Sequence, residues 1–220
     1  KDYINKYYDV NKSNLHLVYR GCDLKEFNLN PLTEEWSDSW FQEFPSTKNK
    51  TLLTLPGRIT SWKGIEEFIT LFTKLDTNKY HGLIPGPVKK NKENYYKSLL
   101  KSIKQKNLSS HITFSGSRSD IANVYKISDI VLNLSSKPEP FGRTIIEAAA
   151  CGARVMGWNR GGVKESIELI NPAGLVEYGN ISALSEKISK FHETPKPESI
   201  PDIFTKEYLA NATTNIYELA

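Results

Sequence analysis

The sequence predicts an α/β fold: a parallel β-sheet with helices on both faces. Three observations lead there. From Thr51 onward, short apolar runs alternate with segments whose apolar residues recur at helical spacing. The runs are apolar along their length, as in Ile130–Leu134, rather than alternating with polar residues, which is the pattern of strands buried on both sides. Turn residues close several of them, as in Pro56-Gly57 and Ser115-Gly116, so a loop can lead into the next helix.

The elements follow in order. Leu15–Tyr19 could add an early strand, and Pro31–Phe44 reads as a helix capped by Thr33, with Trp36 and Trp40 four residues apart. Thr51–Leu55 is a strand, and Ile65, Phe68, Ile69, Phe72 and Leu75 mark one face of the helix after it. His81–Pro85 is the next strand, followed by a lysine-rich amphipathic helix. His111–Phe114 is a strand ending at Ser115-Gly116, and Ile121–Ile127 a short helix. Strand Ile130–Leu134 leads to a turn around Glu139, and a tightly packed helix runs through Ile145-Ile146-Glu147-Ala-Ala-Ala150. Arg154–Gly157 is a strand, a helix starts near Gly162, Gly174–Val176 is a last short strand, and Ile181, Leu184, Ile188 and Phe191 mark a helix. After His192 the chain turns rich in Pro and Glu, a connector before a helical stretch from Thr205 to Ala220. The organisation is thus an opening segment (1–50), an α/β core (51–192) and a connector with a C-terminal helix (193–220).

Composition narrows the class. Of 220 residues, 39% are hydrophobic and 25% charged, which describes a soluble globular chain. No run is long enough to span a bilayer and no signal peptide is visible. The first residue is Lys, which suggests a fragment or a processed chain. Cys22 and Cys151 lie far apart without metal-type spacing and read as reduced packing residues. His16, His81, His111 and His192 show no ligand spacing either, so core or surface roles are expected. The net charge of +4 is mild, but Lys89, Lys90, Lys92, Lys97, Lys101, Lys104 and Lys106 concentrate it on one segment. That segment is either a solvated lysine face or a patch that docks on anionic lipid. Nucleic acid is the weaker partner, because no aromatic stacking motif accompanies the lysines.

Three strand ends carry the residues suited to chemistry. In Glu139-Pro-Phe-Gly-Arg-Thr-Ile-Ile-Glu147, two carboxylates bracket a glycine turn and the start of a helix. A glutamate in a buried helix needs a polar partner, since an isolated buried charge is costly. The helix start offers free N–H groups and the positive end of the dipole, which suit an anion. Gly57-Arg58 and Lys63-Gly64 place two cations on a loop after a strand. Their charge matches a diphosphate, and Arg can grip its oxygens in a fork. At Ser117-Arg118 the third strand end could meet a base, or be an ordinary turn. Together these groups fit a ligand with both a diol and a phosphate, such as a nucleotide.

Gly57-Arg58 with Lys63-Gly64, the two glutamates around Pro-Phe-Gly, Asn159-Arg-Gly-Gly-Val-Lys-Glu165 and Pro172-Ala-Gly-Leu-Val176 resemble, in order, the C-terminal half of a family 4 (group 1) retaining glycosyltransferase. The resemblance covers roughly Leu15 to Phe191, and Val18–Phe27 resembles the stretch by which such chains enter that half. It implies a GT-B architecture, in which residues 51–192 are the nucleotide-sugar-binding Rossmann-like domain. It also implies that Arg58, Lys63 and Glu139 are catalytic. Arg58 and Lys63 would hold the donor diphosphate, and Glu139 would contact the donor sugar. The backbone of Phe141, Gly142, Arg143 and Thr144 would line sugar and phosphates beside Gly57. Glu147 would bind the ribose diol, and Ser117 or Arg118 the base. Arg143 stands where many relatives have an apolar residue.

The partner so implied is a nucleotide-diphosphate sugar, with a UDP-sugar the leading expectation. No separate cofactor is expected, and no metal, because no Asp-x-Asp motif is present. The activity implied is metal-independent hexosyl transfer with retention to a cell-surface polysaccharide or glycolipid acceptor. The expected location is cytoplasmic, peripheral at the inner face of the membrane. The family's N-terminal Rossmann-like domain is absent, so the isolated chain is expected to be inactive. A nucleotide-sugar epimerase of the same architecture and a non-catalytic nucleotide-binding domain are the alternatives.

Overall fold

Side chains along the central strands point alternately to two faces, and each face builds its own core. In the computed structural model, which describes residues 2–11, 13, 15–191 and 194–218, six strands form one sheet: β1 (Thr51–Thr54), β2 (Tyr80–Pro85), β3 (Ile112–Gly116), β4 (Ile130–Asn133), β5 (Arg154–Trp158) and β6 (Leu175–Val176). Every strand pair is parallel and the order is β3-β2-β1-β4-β5-β6. This is the Rossmann-like α/β architecture expected from the apolar strands.

The α-helices are α1 (Asp2–Tyr7), α2 (Glu34–Glu43), α3 (Ile65–Phe72), α4 (Glu93–Gln105), α5 (Ile121–Ile127), α6 (Arg143–Ala150), α7 (Gly161–Ile170), α8 (Ile181–Phe191) and α9 (Lys206–Glu218). Ile130, Leu132 and Met156 pack with Phe68 and Phe72 of α3, Leu99 of α4 and Leu184 of α8. The intervening Val131 and Val155 pack on the other face with Ile145 and Ile146 of α6 and Ile167 of α7. Period-2 side chains against period-3.6 helices thus give a sheet covered on both sides.

One expectation needs correction. Leu15–Tyr19 is not a strand. Leu17 is exposed, and Tyr19 instead docks its ring edge-on against Phe204, with centroids 5.3 Å apart. Pairing comes later, at an isolated parallel bridge between Cys22 and Thr205. There the Cys22 N–H donates to the Phe204 carbonyl at 2.6 Å, and the Lys206 N–H donates to the Cys22 carbonyl at 3.1 Å. Helix α1 was not anticipated.

The Thr33 cap of α2 forms as expected, its hydroxyl accepting from the Trp36 N–H at 3.2 Å. Trp40, fully buried, packs with Leu83 of β2 and Val124 of α5, so this segment covers the domain's own sheet. Both cysteines are buried and free. His81 is buried on β2 with Nε2 2.8 Å from the Thr113 hydroxyl, and burial pushes its pKa down to about 4, which makes it a neutral core residue. His192 lies outside the described residues. No described helix is long and apolar enough to cross a membrane.

Candidate functional site

The strand order itself selects the site. The chain runs outward from β1 through β2 to β3, then returns to the other side of β1 as β4. At such a switch point the loops leaving neighbouring strands part in opposite directions and open a crevice at the carboxyl ends of the strands. The β1 loop carries Gly57, Arg58 and Lys63, and the β4 loop carries Glu139 and leads into α6. Lys63 and Glu139, both singled out in the sequence, therefore meet because β1 and β4 are neighbours.

Lys63 and Glu139 form the centre. Lys63 Nζ donates to Glu139 Oε1 at 2.7 Å, with side chains only 13% and 14% exposed. The same oxygen accepts from Asn133 Nδ2 at 3.1 Å and from the Ser135 hydroxyl. Burial pushes the Glu139 carboxyl up, but the bonds from Lys63, Ser135 and Asn133 together outweigh it and hold it below the ordinary carboxylate range. Glu139 is thus an ionised carboxylate with Oε1 fully engaged. Lys63 owes its placement to Gly64, whose left-handed φ of 78° starts α3. A Cβ there would lie 2.1 Å from the Leu134 carbonyl oxygen. Trp62 also lies under the ammonium, with its ring centroid 4.6 Å away.

The start of α7 supports the Glu139 turn. The Gly162 N–H donates to the Glu139 carbonyl at 2.8 Å, and the Ser166 hydroxyl donates to the Phe141 carbonyl at 2.8 Å. The Gly-Gly pair of the Asn159–Glu165 motif is thus a close-packing device beneath the turn.

A cavity of about 250 Å³ opens beside this centre, lined by Gly57, Arg58, Ser117, Arg118, Tyr125 and Thr144 among others. Thr144 is the second residue of α6, and its Oγ1 is buried without a hydrogen-bond partner. Gly142, at φ 77°, caps α6 without any side-chain bond, so the first amides of the helix remain available to an anion. An arginine and an open helix start at one cavity supply the charge and the N–H groups that phosphate oxygens require.

The Arg118 side chain is committed elsewhere. Its Nε and Nη2 donate to both oxygens of Asp120 at 2.8 and 2.7 Å, and Nη1 donates to Glu43 at 3.3 Å. Its guanidinium lies over the Trp40 ring at 5.2 Å. A base in this cavity would meet the Arg118 backbone and Ser117 rather than the Arg118 head.

Glu147 and Arg143 line a second cavity of about 240 Å³, with Phe141, Ile146 and residues of the opening segment and α9. Glu147 is 9% exposed and finds the polar partner its helix demanded: Arg143 Nε and Nη2 donate to its Oε1 at 3.0 and 2.8 Å. The structure therefore brings Arg58, Gly57, Ser117, Arg118 and Thr144 to one cavity, and Phe141, Arg143 and Glu147 to another. The first turn of α6 separates the two, and Lys63 pairs with Glu139 at the loop that leads into it.

Sequence reasoning missed Asn133 and Ser135 as partners of Glu139. Their signal was present, as two polar residues at the end of an otherwise apolar strand. A larger concavity of about 450 Å³, lined by Ala183, Glu186 and Lys187 of α8 among others, contains none of these residues. Among the described residues no group of three or more His, Cys, Asp or Glu is arranged to hold a metal ion.

Residues 37–205 match the family model described as glycosyl transferases group 1. The chain belongs to that family. It is similar to N-acetyl-alpha-D-glucosaminyl L-malate synthase of Bacillus anthracis, 23% identical over 189 residues, which are 84% of this chain and 46% of that protein. It also matches the crystal structure of a glycosyltransferase from Rickettsia africae with a TM-score of 0.87 and 27% identity, covering 99% of this chain and 60% of that one. Its fold is shared by Anabaena HepE, solved in complex with UDP and glucose, with a TM-score of 0.80, 22% identity, and coverage of 92% of this chain and 56% of that one. The chain thus spans about half the length of the proteins it matches, and its fold is that of the C-terminal half of a GT-B glycosyltransferase.

Proposed function

We propose that this group 1 glycosyltransferase chain is the donor-binding half of an enzyme that takes a nucleotide-diphosphate sugar, with a UDP-sugar as the first candidate. In this reading it transfers the hexosyl group with retention to a cell-surface polysaccharide or glycolipid acceptor. The observation that carries the reading is the cavity that Arg58 shares with Thr144 at the start of α6, beside the Lys63–Glu139 pair. The presence of UDP in HepE, which has this fold, supports it.

The chemistry follows the charge. The bond from the anomeric carbon to the β-phosphate oxygen breaks, and its electron pair stays on the diphosphate. Arg58, Lys63 and the amides of α6 offset that growing negative charge without reorganising, so they stabilise the transition state more than the ground state. In this scheme they, rather than a bridging metal, meet the charge. Glu139, ionised and held from three sides, opposes the positive charge that develops on the sugar. The acceptor oxygen forms the new bond on the same face, and its proton passes to the departing phosphate oxygen.

Calorimetric titration of the chain with UDP, GDP and ADP tests the assignment. One of them is expected to bind, unaffected by a chelator. Heat from none of them would remove the donor role, and binding that required Mn²⁺ would remove the metal-free scheme.

The lysine-rich segment fits a peripheral position on an anionic membrane at the cytoplasmic face. Lys97, Lys101 and Lys104 fall at i, i+4 and i+7 of α4, opposite buried Leu99 and Ile103. Residues 89–106 hold seven lysines and one acidic residue, and no ion pair among the described residues involves those lysines. Lysines at such spacing repel one another, and an anionic surface relieves that repulsion. Vesicles rich in phosphatidylglycerol should therefore bind the chain at low salt, and phosphatidylcholine vesicles should not. Replacing Lys97, Lys101 and Lys104 by Gln should weaken binding roughly 100-fold, at about 1 kcal/mol per lysine. Equal binding to both vesicle types would dismiss the surface.

A further inference from the structure

We propose that Arg143 is a positioning residue for Glu147: by occupying Oε1 from the solvent side, it keeps the carboxylate oriented so that Oε2 accepts the two hydroxyls of the nucleotide ribose. This rests on the donor-binding reading above and adds to it a residue that acts only through its neighbour.

The geometry is asymmetric between the two carboxylate oxygens. Both N–H groups that Arg143 commits, Nε at 3.0 Å and Nη2 at 2.8 Å, converge on the same oxygen. Two fork contacts on a single oxygen leave the other oxygen bare. Oε2 accepts no hydrogen bond among the described residues, and it is not among the side-chain atoms sealed without a partner. It belongs to a residue that lines a cavity, with Thr144 of the phosphate cavity three residues earlier on the same helix. A carboxylate oxygen with free lone pairs accepts from both hydroxyls of a vicinal diol, and protonation weakens that by removing the charge and turning part of the group into a donor.

Exposure separates the two partners. The Glu147 side chain is 11% exposed and the Arg143 side chain 65%. Arg143 therefore reaches in from the surface to a carboxylate that its surroundings work against. Burial pushes the Glu147 carboxyl above its ordinary value, Arg143 opposes the shift, and Glu26 of the opening segment adds to it. The other groups around Glu147 supply no comparable relief. Tyr125 of α5 is neutral and buried, and burial holds the thiols of Cys22 and Cys151 protonated, at about 12 and about 11. Arg20, Asp23 and Lys206 share the cavity, but Lys206 pairs with Asp23, and none of the three bonds Glu147. Arg143 is thus the one cation hydrogen-bonded to this carboxylate among the described residues.

The sign of the pH effect follows. Without Arg143, burial and Glu26 act unopposed, and the Glu147 carboxyl titrates at higher pH than in the wild type. Diol recognition then fails at a pH where the wild type retains it, and returns as the pH rises.

The experiment compares the best-binding of UDP, GDP and ADP with its 2′,3′-dideoxy counterpart. Wild type, Arg143→Gln and Arg143→Lys are titrated from about pH 4.5, the ordinary carboxylate range, to pH 9, with thermal melts confirming that each is folded. Wild type should prefer the ribose form by about tenfold or more, the size of a hydrogen bond to a charged group. Arg143→Gln should lose that preference at the acidic end and regain part of it at the alkaline end, and Arg143→Lys should restore it; the ratio of ribose to dideoxy affinity within each variant is the readout, so a uniform change in nucleotide affinity cancels. Unchanged preference in Arg143→Gln at every pH would overturn the inference, and so would a wild type that binds both nucleotides equally. A wild type that binds none of the three nucleotides would instead bring down the donor-binding reading itself.

Discussion

Lys63→Ala is expected to lower turnover in the complete enzyme by about 100-fold, the scale for losing one donor aimed at developing charge. The substitution does more than delete a cation. Lys63 is the charged one of the three groups that hold Glu139 below the ordinary carboxylate range. Once it is gone, burial of Glu139 is less opposed and its pKa rises. A group with a depressed folded-state pKa stays ionised down to low pH, so the acidic limb of kcat/KM should move to higher pH in Lys63→Ala. Arg58→Ala, whose side chain lines the neighbouring cavity, should lose a similar factor without moving that limb. A pH–rate profile of the two variants separates the roles. Wild-type turnover in either would refute its part in stabilising the leaving diphosphate.

Gly64→Ala should cost about 3 kcal/mol or more of stability, since it combines an unfavourable backbone with a backbone clash. Gly64 sits at φ 78°, and a Cβ would meet the Leu134 carbonyl oxygen at 2.1 Å, closer than any side-chain adjustment can relieve. Because that carbonyl ends the β4 segment, relief requires prising β4's loop from the start of α3 and carrying Lys63 away from Glu139. For a chain of this size the melting temperature should fall by about 6–12 °C. Gly179→Ala is the internal control. It has the same φ of 78°, but nothing lies within 4 Å of the added carbon. It should cost only the left-handed backbone penalty of about 1 kcal/mol. Equal losses in the two variants would show that conformation alone, without the close approach, governs Gly64.

The legible and illegible parts divide along a physical line. Ile121–Ile127 and Ile181–Phe191 could be bounded from spacing alone because each buries one face against the sheet, and burial imprints its period on the residues. The cations and carboxylates could be picked out because parallel sheets put ligands at strand ends, and a turn glycine beside a charge is visible in one dimension. Pairing was not visible. Nothing in the spacing of Lys63 and Glu139 says that they touch, since that contact depends on β4 returning to the side of β1. Arg118 illustrates the opposite limit. It stands at a strand end like the others, yet Asp120, Glu43 and the Trp40 ring consume its charge. Leu15–Tyr19 misled because Tyr19 packs on Phe204 and Phe141 while Leu17 is left exposed, and composition does not distinguish that from a strand.

The register between Leu53 and Ile130, where β1 meets β4, has a consequence for how the molecule is made. β1, β2 and β3 can assemble from contiguous chain, but β4 must come back past all of them, and closing so long a loop is slow. Until it closes there is no crevice, so a half-formed sheet offers nothing for a nucleotide to hold. Any ligand of this crevice then adds its binding energy to the fully folded species alone and raises that species' midpoint of denaturation as its concentration increases.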